Sequence, residues 1–151
     1  MAEPDIDGID RRIIELLQNN SRTTVADMAR EIGELTENAI RYRIERLETE
    51  GYIAEYTVRL NPKKFGKNII VIFSLNVMPQ DINASLDSLK SIDYITEIYL
   101  TAGDFSIIAI GYFDDNQELT RFVTEKLKDI RMIDYKVISV LRRVKHELYS
   151  I

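Results

Sequence analysis

The chain has 151 residues, 45% hydrophobic and 30% charged, with 20 Lys and Arg against 25 Asp and Glu. That length suits one large or two small domains, and the net charge of −5 argues, at first sight, against a nucleic-acid partner. Without cysteine there are no disulfides, thiol nucleophiles or thiolate metal sites, and the single histidine, His146, rules out paired-histidine metal sites.

Ile9, Ile13, Leu16 and Leu17 recur at i, i+4, i+7 and i+8 and predict an amphipathic helix, with Asp5 and Asp7 placed where an N-cap belongs. Turn formers at residues 18–21 end it. A second helix follows Thr23 and Thr24, one of which caps it; Val25, Met28, Ala29 and Ile32 form its stripe, and Gly33 stops it. Leu35 and Thr36 open a third helix with a staple and a cap, Ile40, Ile44 and Leu47 are its buried stripe, and Gly51 ends it. Two helices joined by a tight glycine-containing turn form a helix-turn-helix. Tyr52-Ile53 and Tyr56-Thr57-Val58 predict two short strands, the wing of a winged helix. Asn61-Pro62 and Gly66 mark a linker.

From Lys67 the period changes. Val71, Phe73, Leu75 and Val77 alternate along a strand, and Ile82, Leu86 and Leu89 predict a helix. Residues 95–101 and 105–112 read as strands joined by a turn at Ala102-Gly103-Asp104. Asp115 or Asn116 caps a further helix carrying Leu119, Phe122, Val123, Leu127 and Ile130, and residues 135–141 close as a strand. The order βαββαβ is the split βαβ, ferredoxin-like arrangement, so the fold class is α+β. Residues 1–60 are expected to form a winged helix-turn-helix domain, 61–67 a linker and 68–151 the ferredoxin-like domain. One face of that sheet carries helices; the other must be covered, most simply by a second copy of itself.

The apolar run over residues 69–77 is about half the ~20 residues a membrane helix needs, and the acidic start Met-Ala-Glu-Pro-Asp lacks an apolar signal core. A soluble, cytoplasmic protein with no membrane partner is expected.

The third helix is the most informative element. Opposite Ile40, Ile44 and Leu47 it carries Asn38, Tyr42, Glu45 and Thr49, flanked by Arg41 and Arg46, with Thr36 and Glu37 at its start. Asn and Arg carry forked hydrogen-bonding groups that match adenine and guanine edges in the major groove, and the second helix of a helix-turn-helix is the one that enters it. Arg43, at the edge of the apolar stripe, either braces the domain through a carboxylate or touches DNA. Arg22, Thr23 and Thr24 precede a helix whose first amides can bind a phosphate, although capping alone accounts equally for the threonines. Arg59, Lys63, Lys64 and Lys67 serve either as phosphate contacts or as solubilising charge. Residues 1–60 hold 8 basic against 13 acidic side chains, yet residues 36–67 hold 7 basic against 5 acidic, so the other acids cluster before and within the first two helices, where they can face away from the phosphates.

At the Ala102-Gly103-Asp104 turn, tight turn geometry explains Gly-Asp. It also leaves room for a ligand: Asp104 for an α-ammonium, turn amides for a carboxylate, Thr101 and Ser106 as rim hydroxyls. Enzyme readings fail for want of a nucleophile–base pair. Asp114-Asp115 reads as a helix cap, no Gly-rich phosphate loop or Gly-x-Ser-x-Gly is present, and His146 has no orienting partner in the sequence.

The chain resembles the Lrp/AsnC, or feast/famine, transcription regulators over nearly its whole length. The likeness runs through Ile6-Asp7-x-Ile9-Asp10, Ile13-x-x-Leu16-Leu17-Gln18, Arg22, Ala29-x-x-Ile32-Gly33, Arg43-Ile44-x-x-Leu47-Glu48 and Gly51-x-Ile53. It continues through Asn61-Pro62, Phe65-Gly66 and Tyr99-x-Thr101-x-Gly103-Asp104-Phe105. The resemblance implies double-stranded DNA as partner, a homodimer built through the C-terminal sheet and assembling to octamers, and a small amino-acid effector with no other cofactor. It places Tyr99, Thr101, Ala102, Gly103, Asp104, Phe105 and Ser106 around that effector, with Asp134 and Tyr135 contributed by a neighbouring subunit. Ala102 and Phe105 depart from the polar residue and Tyr often found there. The likeness to archaeal members suggests glutamine. The alternative is an architectural DNA-binding protein whose C-terminal domain serves only oligomerisation.

Overall fold

The structure is a computed structural model describing residues 5–33 and 35–145; His146 lies outside them. They form two compact units, one ending at Arg59 and one running from Leu60 to Lys145.

The first unit holds three helices, α1 (Gly8–Asn19), α2 (Val25–Ile32) and α3 (Glu37–Thr49). Each begins where a short polar side chain relieves an orphan amide. Asp7 accepts from the Asp10 amide while Asp10 accepts from the Asp7 amide, a reciprocal capping box; Thr24 caps α2 and Thr36 caps α3. Gly33 ends α2 with φ 75°, in the left-handed region that favours glycine. Ile13, Ile14, Leu16, Met28, Ile40 and Leu47 fill the core, with Ile9, Leu17, Val25, Ala29, Ile32 and Ile44 packed at its margin. At ~1.5–3 kcal/mol per buried side chain this is a small core; Arg12 Nη2 also reaches Glu31 Oε1 at 2.5 Å between α1 and α2, a half-exposed pair that adds little.

The two wing strands are not formed. Residues 54–61 belong to no ladder, and Tyr56 and Val58 stand exposed. Ile53 N–H closes onto the Leu47 carbonyl at 3.0 Å and the Tyr56 hydroxyl donates to Glu48 at 2.8 Å, so side-chain and helix-end bonds hold this stretch instead. Partial desolvation around the hydroxyl itself and its bond to Glu48 push Tyr56 up to about 12, although the residue as a whole is half exposed. An isolated two-stranded hairpin is marginal in water.

The second unit contains β1 (Ile69–Asn76), α4 (Ile82–Lys90), β2 (Ile95–Leu100), β3 (Ile107–Phe113), α5 (Asn116–Arg121) and β4 (Asp134–Val140). The sheet order is β2-β3-β1-β4 and every pair is antiparallel, as the split βαβ order demands. Val71, Phe73 and Leu75 of β1 meet Ile107, Ala109 and Phe113 of β3 on the helix-covered side, closed by Leu89, Phe122 and Leu127. Phe73, Tyr94, Phe113 and Phe122 form an aromatic cluster with centroids 5.2–6.3 Å apart. Gly111 is required here: a Cβ would meet the Phe113 ring at 2.9 Å.

The helix expected to run on to Ile130 changes pitch. Regular α geometry ends at Arg121, a π turn spans Phe122–Lys126 and a 3-10 turn spans Leu127–Asp129. The wider pitch puts Phe122 and Leu127, five residues apart, into the same core.

The opposite face of the sheet presents Ile70, Ile72, Ile108, Ile110, Tyr112, Ile138 and Val140, placed side by side by the register and only partly covered within the unit. Among the described residues no helix is long and apolar enough to cross a membrane.

Candidate functional site

On α3, the side turned from Ile40 and Leu47 is open. Tyr42 is 69% exposed, and Glu37, Asn38, Arg41, Glu45 and Thr49 are exposed as well. Thr36 accepts from the Ala39 amide at 3.3 Å, and Thr24 accepts from the Asp27 amide at 3.1 Å and donates to Asp27 Oδ2 at 2.7 Å. The Thr23 hydroxyl donates to the Asn20 carbonyl at 2.7 Å, and the Arg22 amide to Asn20 Oδ1 at 3.1 Å, which leaves the Arg22 guanidinium at an exposed position before α2. Arg59 is exposed at the end of the unit.

Arg46 and Arg43 differ from that face. Arg46 Nη2 reaches Asp10 Oδ2 at 2.5 Å, while Arg43 Nη1 reaches Asp10 Oδ1 at 2.8 Å and Asp7 Oδ2 at 2.7 Å. Of the two roles open to Arg43, bracing is the one seen. These bonds hold both guanidiniums more firmly protonated, and the Asp10 amide, then Arg43, lower Asp7 to about 2. Asp10 itself is fully buried, and its spacing within the Ile9/Ile13 pattern gave only a hint of that.

In the second unit the β2–β3 hairpin is closed by the Thr101 amide donating to the Ser106 carbonyl at 2.8 Å and the Thr101 hydroxyl donating to the Phe105 carbonyl at 2.6 Å. Gly103 has φ 154°, which a residue with a Cβ adopts with strain. Thr101, Ala102, Gly103 and Asp104 are exposed; Phe105 and Ser106 are half-buried. The Ser106 hydroxyl accepts from the Val77 amide at 3.0 Å and donates to the Val77 carbonyl at 3.2 Å, pinning the turn to the end of β1. The register brings the start of β4 to this same end, Asn76 opposite Asp134 and Leu75 opposite Tyr135. Lys136, two residues into β4, lies over the Phe105 ring at 4.9 Å. Asp134 accepts from the Tyr135 amide at 2.8 Å. The Tyr99 hydroxyl donates to Glu97 at 2.5 Å, which raises the pKa of Tyr99. Sequence reasoning missed Val77, Glu97 and Lys136 at this end; Lys136 carried a signal, as a cation two residues past a strand start.

A helix-turn-helix unit with a polar, exposed third helix, followed by a ferredoxin-like unit with an open hairpin end, is the build of a DNA-binding regulator with a second, ligand-binding domain. The AsnC-type helix-turn-helix domain profile matches residues 6–48, and the Lrp/AsnC ligand binding domain profile matches residues 70–149. The HTH-type transcriptional regulator LrpA of Pyrococcus horikoshii is 33% identical over 83% of this chain and 88% of its own. The HTH-type transcriptional regulator Ptr1 of Methanocaldococcus jannaschii is 32% identical over 93% of this chain and 95% of its own. Among solved structures, E. coli AsnC superposes with a TM-score of 0.91 at 26% identity, covering 97% of this chain and 99% of that one. A Neisseria meningitidis transcriptional regulator in complex with L-Met shares the fold, with a TM-score of 0.86 at 20% identity over 97% and 96% of the two chains. The chain belongs to the Lrp/AsnC family of transcription regulators.

Proposed function

We propose that the protein is a sequence-specific regulator, acting in the cytoplasm, whose assembly or DNA affinity is set by a small amino acid. Residues 1–60 read double-stranded DNA, residues 61–67 link, and residues 68–151 bind the effector and assemble. The observation that carries this reading is the exposed Asn38, Arg41 and Tyr42 on the second helix of the helix-turn-helix. Thr36 and Glu37 at its start, Arg22, Thr23 and Thr24 before α2, and Arg59 complete the DNA-facing set, whereas Arg46, expected there from the sequence, is held by the buried Asp10 carboxylate.

The effector is assigned to the hairpin end. Asp104 takes the α-ammonium and the turn amides take the carboxylate. Tyr99, Thr101, Ala102, Gly103, Phe105 and Ser106 shape the rim; the chain's own Asp134 and Tyr135 lie at the same end of the sheet, and those of a neighbouring subunit complete the site. Glutamine is the first candidate, and L-Met, bound by the Neisseria relative, the second. The apolar face of Ile70, Ile72, Ile108, Ile110 and Ile138 is covered by a second copy, giving dimers that associate further to octamers. A dimer reads half-sites ~10 bp apart or a multiple of that. Because the chain carries −5 overall, one dimer binds DNA weakly without sequence, and useful affinity needs several dimers acting together.

Sedimentation of the full chain with each amino acid in turn tests this. At least one shifts the distribution between dimer and larger assembly. If none does and none raises the melting temperature, the second domain only oligomerises and the protein is an architectural DNA binder. A ligand at ~100 times its Kd adds ~2.7 kcal/mol of stability, so binding is readily seen.

A further inference from the structure

Asp10 is a carboxylate with 0% exposure, on the first turn of α1. Both its oxygens are used across to α3, Oδ1 by Arg43 at 2.8 Å and Oδ2 by Arg46 at 2.5 Å, and Oδ2 also accepts the Asp7 amide at 3.0 Å. Arg43 is held a second time by Asp7 at 2.7 Å. Two carboxylates therefore neutralise two of the three arginines on the reading helix, and Arg41 stands apart from them, exposed. Arg46 is bound at a cost, since its Nε is buried without a hydrogen-bond partner. The arrangement favours the carboxylate over full satisfaction of the guanidinium. On an α-helix, residues four apart are turned by about 40°, so Arg46 stands next to Tyr42 on the exposed side of α3 and would reach that face if released.

We propose that Asp10 is a specificity-setting residue: it withholds Arg43 and Arg46 from DNA phosphates and leaves α3 to be read through Asn38, Arg41 and Tyr42. Phosphate contacts carry no sequence information of their own. Electrostatics supplies almost all of non-specific binding but only part of specific binding, where base contacts fix the docking; two free arginines on the reading helix would therefore raise affinity for wrong sites more than for right ones and lower the ratio on which a regulator depends. The capping box and the mask use the same side chains, so the residue that starts α1 also sets the charge α3 shows. This rests on the DNA-reading role of α3 proposed above.

The test uses the full chain and two labelled duplexes, one selected by the native protein from a random pool and one scrambled version of it, with binding followed by anisotropy across a salt series. Asp10→Asn keeps size and shape but removes the charge and turns one of the two accepting oxygens into a donor. It is expected to bind the scrambled duplex several-fold more tightly and to steepen the salt slope by about one to two. The preference for the selected duplex should fall by about tenfold. Adding Arg46→Met in that background returns the slope toward native. If both affinities fall together with the slope unchanged, Asp10 is only a structural brace and the proposal is overturned. Should Asp10→Asn not fold, as judged by circular dichroism, Asp7→Asn carries the test. Asp7 is exposed, so its neutralisation releases Arg43 from one partner without stranding a buried group. A slope steeper than native supports the mask, and an unchanged slope overturns it. A native chain that selects no duplex refutes the DNA-reading role itself and this proposal with it, an outcome distinct from native selection with unmoved variants.

Discussion

Ser106→Ala is the sharpest probe of the hairpin end. One hydroxyl satisfies both backbone groups of Val77, accepting from its amide at 3.0 Å and donating to its carbonyl at 3.2 Å, and Val77 is only 3% exposed. Alanine leaves an amide and a carbonyl without partners just past β1. An unsatisfied buried backbone group costs ~1–3 kcal/mol. Ser106 is half-buried, so water recovers part of the loss, and about 1–3 kcal/mol in total is expected. For a domain of this size that lowers the melting temperature by roughly 4–8 °C per kcal/mol. Scanning calorimetry of the full chain should show the transition of the second unit falling by at least ~4 °C, with that of the first unit unmoved. Ser106→Thr, which keeps the hydroxyl, should stay near native. Because the same bond pins the turn proposed to bind the effector, amino-acid affinity should weaken with it. A Ser106→Ala transition within experimental error of native would refute the reasoning, since the hydroxyl would then hold nothing that water does not.

Other perturbations separate the roles. Arg41→Ala should lose ~1–3 kcal/mol on the selected duplex and little on a scrambled one; an equal loss on both makes Arg41 a phosphate contact. Asp104→Ala should abolish the response to the effector and leave DNA binding intact, and unchanged effector affinity in calorimetry removes Asp104 from the site. Asp7 lies at about 2 in the folded chain against an ordinary 3.8, so its share of stability is complete above the ordinary value and is lost as pH falls from about 4 to 2. Urea midpoints at pH 5 and pH 3 should therefore differ less in Asp7→Asn than in the native chain, and equal differences would contradict the Arg43 and capping bonds assigned to it.

Local chemistry made most of the fold legible. Asp7, Thr24, Thr36 and Asp115 cap their helices through amides three residues away, and Val71, Phe73, Leu75 and Val77 alternate into a buried face. What stayed hidden depends on partners distant in the chain. Asp10 reads as a surface acid in a helical pattern until Arg43 and Arg46, 33 and 36 residues on, close over it. Ile14, outside the stripe counted from Ile9, is buried because three helices pack here and widen the apolar face of α1. The wing was expected from β-branched and aromatic residues, but propensity alone forms no strand without a neighbour. The π turn at Phe122–Lys126 follows from core packing, not from any local signal. At the hairpin, the turn residues were legible, whereas the placing of Asp134 and Lys136 beside them needed the β1–β4 register.

The central claim is that an amino acid at the second unit changes what the first unit does on DNA. The most direct measurement is the affinity of the full chain for its selected duplex at fixed salt, with and without each amino acid at saturating concentration. One of them is expected to shift that affinity by about 5- to 150-fold, the range of ordinary coupling, and Asp104→Ala to erase the shift. An affinity the same with every amino acid would contradict the claim.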